Sequence, residues 1–108
     1  MPQKKFKVTN DTKAFIRIRE KAAKELIERL TADRDDLNLV VLDGLDAAIV
    51  GSTEIDGQTH LIYDRFRVSQ IFVNRDGMGA DEAEEYCEYN VEGAHYGDGC
   101  PIFVDLIV

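Results

Sequence analysis

Between Phe15 and Leu30, apolar residues recur at Phe15, Ile18, Ala22, Leu26 and Leu30, and Ile16, Ala23 and Ile27 widen the stripe. That spacing follows the period of an amphipathic helix, and Asn10 or Asp11 supplies a side-chain acceptor for its first turn. The pattern predicts a helix from there to about Ala32, roughly 33 Å long at 1.5 Å per residue, with Lys13, Arg17, Lys21 and Lys24 opposite the apolar stripe. Residues 1–9 read as a basic, loosely ordered arm or a short edge strand through Phe6 and Val8. The run Ala32-Asp33-Arg34-Asp35-Asp36 closes the helix as a polar connector.

Farther along the chain the period changes. Leu37–Leu42 is apolar but interrupted by Asn38, a pattern compatible with either a short helix or a buried strand. Ala48–Ile55 and Thr59–Tyr63 are rich in β-branched residues and flank Asp56-Gly57, which predicts a β-hairpin over about 47–63. Two strands alone are marginal in water, so the hairpin must be covered by helices or joined by a third strand, for which Ile102–Val108 is the best candidate. Asp64 is placed to cap a helix over about 64–76, ending at Gly77 in the left-handed position that halts a helix. A second helix is expected over about 80–94, with Asp81 and Glu82 at the positive end of its dipole. With no internal repeat and no long linker, residues 1–108 make one α+β domain.

The expected 80–94 helix presents Ala83, Tyr86, Cys87, Asn90, Val91 and Ala94 on one face, and Glu84, Glu85, Glu88 and Glu92 mostly outside it. A buried Asn must satisfy its amide, and the turn Gly97-Asp98-Gly99-Cys100-Pro101 offers free backbone groups. Asn90, with Gly97 and Pro101 shaping the turn, is therefore expected to hold that loop.

Charge adds a second layer to the picture. The net charge of -8 divides into about +5 over residues 1–30 and about -13 over the rest, and no Lys or Arg follows Arg75. Such an acidic pole repels nucleic acid and attracts basic protein surfaces. At 108 residues and 44% hydrophobic content the chain suits a single soluble domain, and no apolar run approaches the roughly 20 residues that span a bilayer. The basic start lacks an apolar segment and cleavage site behind it, which predicts an intracellular, cytoplasmic location. In that reducing setting Cys87 and Cys100 are expected as free thiols.

Catalytic readings find little support. Cys87, His95 and Cys100, with His60 as a fourth group, match no usual zinc spacing, so no metal or cofactor is expected. The same thiols and imidazoles lack an evident oxyanion donor or orienting acid, so an enzyme or ligand pocket at His60, His95 and Cys87 is kept as the alternative. Gly77-x-Gly79 lacks the remaining glycine of a dinucleotide turn. Lys13, Arg17, Lys21 and Lys24 offer a further alternative, nucleic-acid binding through the first helix, and that helix could also pair with a copy of itself. Tyr86, Tyr89 and Tyr96 sit among carboxylates, a setting that suits a protein interface better than single-stranded nucleic acid.

Gly77-Met78, Glu82-Ala83, Tyr86, Tyr89-Asn90, Gly93-Ala94, Gly97 and Pro101-Ile102-Phe103 form a pattern over residues 43–103 that also takes in Leu45–Gly51 and Tyr63-Asp64. The pattern resembles a family of small proteins of tailed phages and prophages. This chain departs from it with Gly79 where Ser or Thr opens the helix, Cys87 where an aromatic is common, and Cys100 where Thr precedes the Pro. The resemblance implies a phage or mobile-element origin, where small acidic proteins act by binding a host or defence component. The expectation is thus a non-enzymatic, acidic binding protein that inhibits or modulates such a component through its basic surface. Its contacts would be Glu84, Glu85, Glu88, Tyr89, Glu92 and Asp98.

Overall fold

A computed structural model describes residues 10–32, 34 and 37–107, so the arm expected over 1–9 lies outside the described residues. The first apolar stripe forms helix α1, Asn10–Thr31. Its second half packs inward through buried Ala23 and partly buried Leu26, Ile27 and Leu30. Arg19 ties the helix to the next element by donating from Nε to the Ala47 carbonyl at 2.9 Å. The first half diverges from expectation, because Phe15 and Ile18 are 55% and 67% exposed. The 3-10 turn Asp46–Ala48 and the strand after it, α1's main packing partners, leave those two side chains uncovered.

Leu37–Leu42 proves to be neither helix nor strand. Its backbone finds partners elsewhere: the Val40 N–H donates to the Gly99 carbonyl and the Leu42 N–H to the Tyr63 hydroxyl, at 3.4 and 2.9 Å. A segment so satisfied can stay irregular while Leu39 and Leu42 pack on the core.

Strands β1 (Ile49–Ile55) and β2 (Gln58–Asp64) make the expected antiparallel hairpin, in register from Ile55↔Gln58 to Ile49↔Tyr63 with an irregularity between Ile49 and Gly51. Asp56 and Gly57 both have positive φ, 50° and 80°, the combination required by the tight turn whose twist matches the strands. A third strand does join them, but only Ile102–Val104 (β3) pairs, and it runs parallel to β2. The order β1-β2-β3 puts β2 in the centre, where Thr59, His60, Leu61, Tyr63 and Asp64 are all buried. The chain leaves the sheet after Val104, and Ile107 is fully exposed.

The Asp64 carboxylate accepts from the Phe66 N–H and starts helix α2, Arg65–Asp76. Gly77 ends it at φ 72°, its N–H on the Val73 carbonyl while the Met78 N–H reaches Phe72. Helix α3, Ala80–Tyr86, then widens into a π-helical turn, Cys87–Glu92, instead of continuing as α-helix to 94. Ala83, Cys87 and Val91 face inward, joining Leu45, Ala48, Ile49, Leu61, Val68 and Phe72 in one core.

Candidate protein-binding surface

The first residues of α2 lie beside the π-helical turn, and a groove of about 500 Å³ opens between them. Buried Ser69 and Cys87 border it, Phe66 stands in it 65% exposed, and Glu84, Glu88 and Glu92 line it on the α3 side. Arg65 closes one end. Its Nε donates to Glu92 and its Nη1 to Asp105 at 2.6 Å, joining the π-helical turn to the chain just past β3. Those two carboxylates raise the Arg65 pKa above its ordinary value, the Glu92 hydrogen bond contributing most. The clamp removes Glu92 from the set of carboxylates open to a partner.

Glu84, Glu85 and Glu88 remain exposed, and Tyr89, one turn beyond Glu85, is 71% exposed. Among the described residues no ion pair joins them to the basic side chains of α1, whose Lys13, Arg17, Lys21 and Lys24 all face solvent. Five of the expected contacts, Glu84, Glu85, Glu88, Tyr89 and Glu92, thus lie on one stretch of helix. Asp98 is exposed in the separate 95–101 loop.

Asn90 requires correction: it is exposed and does not sit on the buried face. In the wider π-helical turn Cys87 and Val91 occupy successive inward positions, which turns Asn90 outward. Ala94 is exposed as well, and Tyr86 covers the edge of the core by packing on Phe72 with ring centroids 5.0 Å apart. The loop is held by other groups. The Tyr96 hydroxyl donates to the Val91 carbonyl at 2.6 Å, the Gly99 N–H to Gln58 Oε1 at 3.3 Å, and His60 Nδ1 to the Cys100 carbonyl at 2.7 Å. Gly97 has φ 74°, consistent with its turn role, and Pro101 is buried. Gly99, also at positive φ, lies so close to the 37–42 segment that a Cβ there would stand 1.7 Å from the Asn38 carbonyl oxygen.

The alternative site does not assemble. His60 is buried in β2, His95 is exposed, and the groove beside Cys87 is lined by neither histidine. Burial, with Glu92 and Glu84 adding to it, pushes the Cys87 thiol up to about 11, which keeps it protonated and unreactive at neutral pH. Among the described residues no three His, Cys, Asp or Glu side chains are grouped to hold a metal ion. No helix there is long and apolar enough to cross a membrane. No family model, curated protein or solved structure matches the chain.

Proposed function

We propose that this is a phage-type, non-enzymatic binding protein that sets the acidic side of α3 and its π-helical turn against a basic surface of a host or defence protein in the bacterial cytoplasm, and thereby inhibits or modulates it. The observation that carries the reading is that Glu84, Glu85 and Glu88 are exposed and unpaired among the described residues, beside exposed Tyr89 and Phe66. Carboxylates so arranged steer a cationic partner and fix its orientation, while the two aromatic rings supply apolar contact area. The acidic excess beyond residue 30 extends the attraction past the contact itself.

Affinity capture from bacterial host lysate tests this. A partner with a basic surface should be retained by the intact protein and lost with Glu85→Lys/Glu88→Lys. Its retention should fall as salt rises from about 50 to 500 mM, where the screening length shortens to a few ångströms. A partner indifferent to both changes would overturn the mechanism.

A further inference from the structure

Glu84, Glu88 and Glu92 recur at every fourth residue, and all three line the groove between α2 and the π-helical turn. Like charges at that spacing repel one another, and a cation set between them relieves the repulsion. At the Glu92 end the chain supplies that cation itself: the Arg65 guanidinium donates to Glu92 and, at 2.6 Å, to Asp105. Glu84 and Glu88 are exposed and have no such partner among the described residues. Because Arg65 is engaged by two carboxylates, the charge the groove offers to a partner is that of the Glu84 and Glu88 pair.

The rest of the lining narrows the kind of cation. Among the described residues no three His, Cys, Asp or Glu side chains are grouped to hold a metal ion, so the two carboxylates suit an extended organic cation better. Phe66 stands largely exposed in the groove and offers a ring face to a flat, delocalised charge. The buried Ser69 hydroxyl is committed to the Phe66 carbonyl at 2.8 Å, whereas the Cys87 thiol, 2% exposed at the groove wall, makes no hydrogen bond among the described residues. It gives the groove a soft, weakly polar surface for an aliphatic stem. A volume of about 500 Å³ lies within the range of small-ligand sites. We propose that this groove receives an arginine side chain of the partner protein, its guanidinium between Glu84 and Glu88, its flat face on the Phe66 ring and its stem along Cys87. Arginine is favoured over lysine because its planar fork donates to two carboxylates while its face stacks on a ring, a combination no ammonium offers. The inference rests on the reading of this surface as the partner-binding face, and specifies which partner residue it recognises.

Titration of the nitrogen-15-labelled full chain with acetyl-Gly-Arg-Gly-amide tests this, read by NMR at neutral pH and low salt. The backbone amide signals of Phe66, Ser69, Glu84, Cys87 and Glu88 should move together and saturate with a Kd of about 1–10 mM, the scale of a single anchored side chain. The matching lysine peptide should bind at least about threefold more weakly. Glu84→Gln/Glu88→Gln should weaken the arginine peptide at least about tenfold. Phe66→Leu, which keeps apolar bulk and removes the ring face, should weaken it about two- to fivefold. Glu25→Gln/Glu28→Gln, which removes the same charge from exposed positions on α1, should leave the affinity within about twofold. Native-like dispersion of the remaining signals shows that each variant is folded.

Small shifts scattered over the acidic surface without saturation overturn the proposal, in favour of diffuse charge attraction. So does equal affinity for the two peptides, or binding that survives Glu84→Gln/Glu88→Gln. If a basic host partner is captured in a charge-dependent way while the peptide finds no place in the groove, the arginine anchor fails and the proposed function stands. If the peptide binds in the groove and no basic partner is captured, the proposed function fails and the preference of the groove stands.

Discussion

Tyr63 and Cys87 are groups that the fold accommodates with their protons on. Tyr63 is fully buried, and its hydroxyl oxygen accepts the Leu42 N–H. Burial pushes its pKa up to about 12 even though that N–H works in the opposite direction. For Cys87 the displacement is from 9.0 to about 11, again chiefly through burial. Both values are raised on folding, so each group's contribution to stability is complete below its ordinary value and disappears as pH climbs through the raised one. The melting temperature should hold level up to pH 9.0 and fall as the pH passes through about 11 and then about 12. Cys87→Val should delay the first part of that fall, and a wild-type melting temperature unchanged through about pH 11 would contradict the assignment.

At the scale of elements, the loop between the π-helical turn and β3 depends on how closely it approaches residues 37–42. Gly99→Ala would place a methyl group against the Asn38 carbonyl in a backbone region that alanine avoids, and nothing there is a flexible side-chain end that can move aside. A loss of about 2–4 kcal/mol in urea unfolding is expected, within the range of strained or overpacked sites. Faster hydrogen exchange at the Val40 N–H, which donates to Gly99, should accompany it. A cost below about 0.5 kcal/mol would show that the close approach is not maintained in solution.

The elements themselves were largely legible in the sequence. Asp64, Asp56-Gly57 and Gly77 are local signals, and each cap or turn formed where its residue chemistry predicted. What escaped reading depends on contacts distant in sequence. The parallel pairing of β3 is decided by the crossover, and the π-helical turn has no propensity signature of its own. An α-helical period carried through that turn points Asn90 inward, whereas the wider turn leaves it exposed. Phe15 shares the apolar repeat of the core positions yet is exposed, because the repeat reports a face and not whether a neighbour covers it. Of the candidate surface, the carboxylates were visible as a composition run. Phe66 and the Arg65 clamp were not, since they are brought to α3 by the packing of α2.

Over the whole molecule, the two charge poles lie on elements that do not neutralise one another among the described residues. Glu85 and Glu88 can therefore be reversed at little cost to the fold. Glu85→Lys/Glu88→Lys should change unfolding free energy by no more than about 0.5 kcal/mol, as expected for exposed positions away from caps and core. A large loss would mean that these carboxylates serve the fold, and the capture experiment would need other variants. The sheet has a separate consequence in time. The β1–β2 pairing closes across a two-residue turn, whereas β3 must return to β2 over residues 65–101. The hairpin is thus within reach of fast local closure, and completing the sheet waits on a distant encounter whose entropy must be lost first. Until that encounter, one edge of β2 stays open to any passing extended segment, so the rate at which α2 and α3 assemble sets how long the protein is vulnerable to mispairing.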